Sequence, residues 1–335
     1  MPFDASIFSR SDVLITGGLG FIGSSLARRL VNLGAKVMLV DSLIAEYGDN
    51  LFNIHDIRDR VELNTADVRD QNAMASLIKG RNFLFNLAGQ TSHLDSMTDP
   101  LTDLNINAAA QLHILEACRL HNRGVKIVFA STRQIYGRPQ YLPVDEKHPV
   151  NPIDVNGINK LAGEWYHLLY NNIYKIRTCA LRLTNTYGPG MRVKDAGQTF
   201  LGIWIRCLIE GKPIHVYGDG KQQRDFNFVT DVVEALLWAA ADVASEGQVF
   251  NLGHWEHISL QELAALLVHL SDNGQYELMP FPADRKAIDI GDYYSDFSKI
   301  HNALGWSPQV LLESGLAQTL ASYRKHYANY WNSKA

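Results

Sequence analysis

From residue 12 onward, short runs of β-branched and apolar residues alternate with stretches whose apolar positions recur at helical spacing. The pattern predicts strands over 12–16, 36–40, 61–63, 83–87, 125–130, 177–183 and 248–251, with a first helix over 23–33. Strands separated by long helical stretches pair in parallel through right-handed crossovers. The expected fold class is α/β, with a doubly wound parallel sheet. Near Thr186 the rhythm breaks, and Gly and Pro gather in Gly188-Pro189-Gly190, Gly211-Lys212-Pro213 and Gly218-Asp219-Gly220. The chain then divides into a sheet domain over 1–188, to which 231–254 return, and a smaller discontinuous cap over 189–230 and 255–335.

Composition narrows the function classes. With 335 residues, 46% hydrophobic and 20% charged, the chain has room for about two globular units. Its net charge is −4 and its Lys and Arg are not clustered, so no nucleic-acid footprint is expected. No apolar run approaches the ~18 residues of a membrane span. The stretch from Met1 to Arg10 lacks the basic head and apolar run of a secretory signal. Cys118, Cys179 and Cys207 are widely spaced and read as free buried thiols, which points to the cytoplasm. No histidines fall as His-x-x-x-His with an acidic neighbour, so no metal site is expected.

Candidate chemistry begins at Thr16-Gly17-Gly18-Leu19-Gly20-Phe21-Ile22-Gly23, between the first predicted strand and helix. Glycine at 17, 20 and 23 permits a tight turn, close approach of main chain to a pyrophosphate, and packing of helix on strand. The main chain at Gly20, Phe21 and Ile22 then offers N–H donors at the positive end of a helix. Asp41, at the end of the second strand with Ser42 beside it, can accept from both hydroxyls of a ribose. Its carboxylate would repel a 2′-phosphate, so NAD is expected over NADP. Asp67 and Val68, after the third strand, are placed for the adenine. This is a Rossmann arrangement.

The loop and several later segments resemble the extended short-chain dehydrogenase/reductase family, which includes nucleotide-sugar 4-epimerases, 4,6-dehydratases and uronate decarboxylases. The resemblance runs from about residue 12 to Trp306. Asn86-Leu87-Ala88-Gly89-Gln90 resembles the family's loop beside the nicotinamide ribose, and Asn107 its structural Asn, which the resemblance also places with Gln90 and Lys160 among the cofactor-binding residues. Ser131-Thr132-Arg133-Gln134-Ile135-Tyr136-Gly137 is similar to the strand end that bears the catalytic hydroxyl, here Thr132. Leu181–Pro189 and Gly218–Phe226 resemble segments that contact sugar nucleotides. The resemblance implies bound NAD and transient oxidation of a nucleoside-diphosphate sugar, usually at C4, while a Tyr takes the hydroxyl proton. A phenol, with an ordinary pKa of about 10, needs a Lys ammonium and the positive nicotinamide nearby to do so.

Two departures stand out. The family's Tyr-x-x-x-Lys puts both groups on one helical face, but this chain reads Asn156-Gly157-Ile158-Asn159-Lys160. An amide cannot exchange a proton near neutrality, and losing a positioned acid/base costs about 10²–10⁴ in rate. Three readings stay open: a phenol from elsewhere (Tyr136 or Tyr187), a proton path through water, Thr132 or Lys160, or silent binding without hydride chemistry. The dehydratases carry Asp-Glu where this chain has Arg133-Gln134, which disfavours elimination. Arg133 is hypothesised to meet an anionic group, such as a uronate carboxylate, on the C5–C6 side of the sugar. A surface arginine is the plain alternative. Epimerisation is the leading reading, with silent binding, dehydration or decarboxylation as alternatives.

The resemblance also implies Arg224 and Asn185 on the diphosphate, Arg285 or Lys286 on its other side, and Gln198, Thr199, Phe200, Val216 and Tyr217 around the base. Helices near 99–121 and 157–172 are apolar on more than one face, through Ile158, Leu161, Trp165, Tyr166, Leu168 and Leu169 among others. They predict a four-helix interface in a homodimer.

Overall fold

The computed structural model describes residues 4–44, 49–194, 199–271, 274–283, 286 and 288–331. Its strands are β1 (Asp12–Thr16), β2 (Lys36–Val40), β3 (Val61–Asn64), β4 (Phe83–Asn86), β5 (Lys126–Thr132), β6 (Arg177–Leu183), β7 (Asn185–Tyr187), β8 (Ile214–Tyr217), β9 (Gln223–Phe228), β10 (Val249–Asn251), β11 (His257–Ser259) and β12 (Tyr276–Met279). Seven of them form one parallel sheet in the order β10-β6-β5-β4-β1-β2-β3. Strand order reverses beside β1, and the crevice outside the carboxyl ends of β1 and β4 is where such sheets bind ligands. Interior strands are covered on both faces, so they read as unbroken apolar runs. In β5 every residue but the last, Thr132, is buried.

The helices are α1 (Phe21–Asn32), α2 (Gln71–Leu77), α3 (His93–Thr98), α4 (Pro100–Leu104), α5 (Ala110–His121), α6 (Val155–Tyr174), α7 (Phe200–Ile209), α8 (Val229–Ala241), α9 (Leu260–Ser271), α10 (Ser298–Leu304) and α11 (Leu312–His326). The single helix expected over 99–121 is three pieces. Pro100 opens α4 under an Asp99 cap, a π-helical turn spans Asn105–Ala109, and α5 follows. The wide turn carries Asn107 inward, where its Nδ2 donates to the Gln90 carbonyl at 2.8 Å.

Beyond β6, β9 pairs with β7 and β11 in a three-stranded sheet, and β8 pairs with β12. Helices α7, α9 and α11 pack around these strands. One apolar core runs through both parts of the chain, from Ile15 and Leu26 to Trp204, Leu267 and Leu316. Helix α8 packs beside α1, and α10 packs on the edge strand β10 of the large sheet. Asp231 of α8 ties the C-terminal segment down, its Oδ2 accepting from the N–H groups of Gln309 and Val310 at 3.0 Å.

Candidate active site

The turn after β1 forms because only glycine fits its crossings. Gly17 adopts φ +69°, and a Cβ on Gly23 would stand 2.1 Å from the Gly17 carbonyl oxygen. Gly20 is the N-cap of α1 and provides no side-chain cap, so the first N–H groups of that helix face the cleft free to meet an anion. Asp41 holds the turn from β2, its Oδ2 accepting from Leu19 N at 2.9 Å and its Oδ1 from Leu43 N at 3.3 Å. Burial pushes the Asp41 carboxyl upward, and these two N–H groups oppose it. Thr16 Oγ1 donates to Asn86 at 2.9 Å and accepts from Leu87 N and Ala88 N, pinning the loop after β4 against the turn.

These elements enclose a cavity of about 320 Å³ lined by Gly17, Gly20, Phe21, Ile22, Gly23, Asp41, Ser42, Asp67, Val68, Leu87, Ala88 and Gly89. Asp67 lines it while holding Arg69 at 2.6 Å. Gln90 and Asn107, expected at the cofactor, lie behind the wall instead. Both are buried, and the Gln90 carbonyl is taken by Asn107 and Asn156. Gly89 leaves space for Lys160, since a Cβ there would sit 2.9 Å from Lys160 Nζ and from Asn107 Oδ1.

Thr132, Asn156 and Lys160 line the same cavity. Lys160 Nζ donates to the Ala130 carbonyl at 3.1 Å, and burial pushes its pKa down to about 8 against the pull of Asp103. Asn156 Nδ2 donates to Gln90 O at 2.7 Å and to Asp103 Oδ2 at 2.9 Å, while Asn159 Nδ2 donates to Asp103 Oδ1 at 2.8 Å. The two amides thus clamp a buried carboxylate. Thr132 Oγ1 accepts from Gln134 N at 3.2 Å, capping the turn Arg133–Tyr136.

The two candidate phenols do not reach the cleft, which corrects the catalytic assignment of Tyr136. Its hydroxyl donates to Asn251 Oδ1 at 2.7 Å and accepts from Arg182 at 2.5 Å, and burial pushes it up to about 12. The short helical turn after β5 swings Tyr136 back under the sheet end, while Thr132 stays in the opening. Tyr187 is buried as well, its hydroxyl donating to the Leu312 carbonyl at 3.2 Å.

A second cavity, of about 460 Å³, is lined by Arg133, Asn185, Thr199, Phe200, Tyr217 and Arg224 among others. Arg133 is enclosed rather than on the surface. Its Nη2 donates to Asn185 Oδ1 at 3.1 Å, its guanidinium lies 5.0 Å from the Tyr293 ring centre, and its buried Nη1 has no hydrogen-bond partner among the described residues. Arg224 donates to the carbonyls of Gln223 and Gly291 and stands 3.6 Å from Asp289. Burial, and then the like charge of Arg133, bring Arg224 down to about 10. Val216 is corrected to a core residue, because alternation along β8 turns it inward and leaves Tyr217 to the cavity. Lys286 is exposed and does not line this cavity, and Gln198 and Arg285 lie outside the described residues.

The cavities meet at a neck, since His93, Thr132, Leu183, Thr184, Thr186 and Thr199 line both. Sequence reasoning passed over His93, Asp103 and Asp154. The visible signal for Asp154 was its place as an N-cap ahead of Asn156-Gly157, where its Oδ1 accepts from Gly157 N at 2.6 Å.

A cleft of this design, at the switch point of a parallel sheet, defines an NAD-dependent enzyme of the doubly wound class. The model of the NAD dependent epimerase/dehydratase family matches residues 13–253, and the chain belongs to that family. A putative UDP-glucose 4-epimerase of Methanocaldococcus jannaschii is 32% identical over 311 residues, spanning 92% of this chain and 97% of that protein. The UDP-glucose 4-epimerase of Thermotoga maritima, solved with UDP-glucose, matches with a TM-score of 0.84 at 29% identity, over 94% of this chain and 99% of that one. The Bordetella bronchiseptica enzyme WbmF, solved with NAD+, matches with a TM-score of 0.81 at 26% identity, over 96% and 95%. The glycine cradle, the open N-terminus of α1 and the Asp41 carboxylate all fit NAD.

Proposed function

We propose that this chain epimerises a nucleoside-diphosphate sugar that carries a carboxylate. The observation behind this reading is Arg133, a buried guanidinium in the second cavity with an unpaired Nη1. A desolvated cation with an open donor calls for an anion. Arg224 and Asn185 then hold the diphosphate, Thr199, Phe200 and Tyr217 flank the base, and Arg133 takes the sugar's carboxylate. Bound NAD supplies a reversible hydride acceptor for the sugar carbon. Lys160 and Thr132 orient the reacting hydroxyl at the neck, and the main chain of Gly17–Gly23 holds the pyrophosphate. Arg133 and Gln134 stand where elimination would need carboxylates, which favours epimerisation over dehydration. Residues 189–230 and 255–335 serve as the cap that closes over the sugar nucleotide, and the cytoplasm, with its reduced thiols, is the setting.

The test is incubation of the NAD-loaded protein with neutral and uronate nucleotide sugars in deuterated water. The expected result is an isomer of the uronate with no deuterium on the oxidised carbon. Arg133→Met is expected to cut the preference for uronate over neutral sugar by about 10–100-fold, the range of a charge-assisted hydrogen bond. Equal handling of both sugars by the unaltered protein would reject the carboxylate assignment.

The outer face of α6 also supports the dimer. Ile158, Trp165, Leu169 and Ile173 form an exposed stripe, with Trp165 55% exposed, and Leu101 on α4 is 68% exposed. Leu161 is instead buried within the chain. We infer that α4, α5 and α6 meet their symmetry copies as a four-helix interface. Sedimentation is expected to give twice the chain mass, and Trp165→Asp to give monomer at micromolar concentration; a monomeric unaltered protein would remove the idea.

A further inference from the structure

We propose that His93 is the catalytic acid/base that stands in for the missing phenol, with Asp154 as its positioning residue. The inference rests on the reading above, in which a sugar hydroxyl is oxidised at the neck between the cavities. Six residues line both cavities, and His93 is the only ionisable one among them. Imidazole is the side chain whose ordinary chemistry takes and returns a proton near neutrality.

The surroundings of His93 fix its ring. Ser92 caps α3 by accepting from Asp95 N at 3.2 Å, which sets His93 at the first helical position, over the neck. Its Nδ1 lies 3.1 Å from Asp154 Oδ2. The Asp154 side chain is 1% exposed and is itself held by Gly157 N at 2.6 Å and Gln134 Nε2 at 3.1 Å. Burial works to raise the Asp154 pKa, but the contact with His93 and the two other donors hold it below the ordinary carboxylate value. Two groups face Nδ1: the Asp154 carboxylate at 3.1 Å and, farther off at 3.4 Å, Gln134 Nε2, which already donates to Asp154 at 3.1 Å. The proposal takes the tautomer with the proton on Nδ1, toward the nearer, ionised carboxylate, which also stabilises the imidazolium when it forms. That leaves the Nε2 lone pair on the opposite edge of the ring, with no hydrogen-bond partner among the described residues.

The rival groups are engaged. Asn156 is clamped to Asp103 and Gln90, and Tyr136 and Tyr187 are turned into the core. Thr132 and Lys160 keep bonding capacity beyond Gln134 N and the Ala130 carbonyl and orient the hydroxyl, but a threonine hydroxyl is no base near neutrality, and Lys160, brought down only to about 8, is mostly ammonium there. In the proposed step the sugar O–H bond breaks with its proton passing to His93 Nε2, and the imidazolium is paired with Asp154. NAD, when bound, would accept the electron pair of the carbinol C–H bond as hydride, so that the sugar carbon would become a ketone. The reverse transfer, to the opposite face of the ketone, returns proton and hydride and inverts the centre. The charged groups around His93 are Asp154 at hydrogen-bond distance, Lys160 and Arg133 on the cavity walls, and exposed Asp95 on its own helix.

The full chain, His93→Gln and Asp154→Asn are to be compared with NAD and the uronate nucleotide sugar. His93→Gln is expected to lower kcat by about 10²–10⁴-fold, with NADH affinity by fluorescence titration unchanged within about threefold. Asp154→Asn keeps an acceptor for the helix cap and is expected to lower kcat, a loss that Asp154→Glu, which returns the carboxylate, recovers in part. A purely structural Asp154 would lose stability in both variants with no such recovery of kcat. Apart from turnover, the imidazole resonance of His93, assigned by difference against His93→Gln, is expected to shift when the sugar nucleotide binds. A His93→Gln protein with kcat within about threefold of the original overturns the proposal, as does an unmoved resonance. Unaltered protein that binds NADH and sugar nucleotide but oxidises nothing overturns it too, while leaving the ligand assignment standing. Protein that binds no NADH overturns the reading of the cleft as well.

Discussion

Glu164→Ala is expected to destabilise the folded chain by about 3–5 kcal/mol, the cost of leaving one member of a buried ion pair alone. Glu164 is fully buried on α6 and receives two donors from Arg182, Nη2 at 2.6 Å and Nε at 3.0 Å. Ser131 at the end of β5 donates to the same carboxylate at 2.7 Å. Arg182 in turn supports Tyr136, whose hydroxyl reaches Asn251 on the edge strand β10. One side chain therefore links α6 to β5 and β6 directly, and to β10 through Arg182 and Tyr136. Removing it leaves a buried guanidinium without its carboxylate. Urea unfolding followed by circular dichroism reads the loss. The double variant Glu164→Met with Arg182→Met should recover much of it, because an apolar pair carries no uncompensated charge. A loss below about 1 kcal/mol for Glu164→Ala would mean the pair is solvated and contributes as an exposed one does.

Gly23→Ala should lower NADH affinity by more than about 100-fold, or roughly 3 kcal/mol. In an ordinary helix interior the change from Gly to Ala is favourable by about 1 kcal/mol. Here the new Cβ would stand 2.1 Å from the Gly17 carbonyl oxygen and 3.0 Å from Gly18 Cα. Both are main-chain atoms, so no side chain can swing away. Relief needs the turn to move off the helix, and that turn carries the N–H groups meant for the pyrophosphate. Fluorescence titration with NADH and a melting curve measure the two consequences separately. Affinity within about threefold of the original would show that the pyrophosphate does not sit on this turn.

Much of the frame was legible before any coordinates. The strand predicted over 177–183 coincides with β6. That strand is buried on both faces except at its ends, and such strands announce themselves by composition. The Gly-rich turn was legible for a different reason, since Gly20 and Gly23 answer to Gly17 and Gly18, within a few residues of themselves. Asn156 was also visible as a departure, but its consequence was not. Only the folded chain brings Asp103 and Asn159 to it, and shows the amide committed to a clamp in the cleft wall.

The errors have a common physical origin. Tyr136 lies four residues after Thr132, and nothing local says that a short helical turn sends one to the neck and the other into the core. Gln90 and Asn107 carry the right chemistry at the right spacing, yet the π-helical turn of Asn105–Ala109 spends it on each other. Arg133 could equally have been a surface residue until Asn185, Tyr293 and the cavity wall closed around it.

The sequence by itself determined the alternation of the sheet, the dinucleotide turn and the preference for NAD, because each depends on neighbours close along the chain or on a repeating pattern. Tertiary structure alone decided which polar groups remain available. His93 meets Asp154 and Arg133 meets Asn185 across long stretches of chain, and whether a side chain keeps a free hydrogen-bonding site depends on every partner the fold brings within about 3 Å.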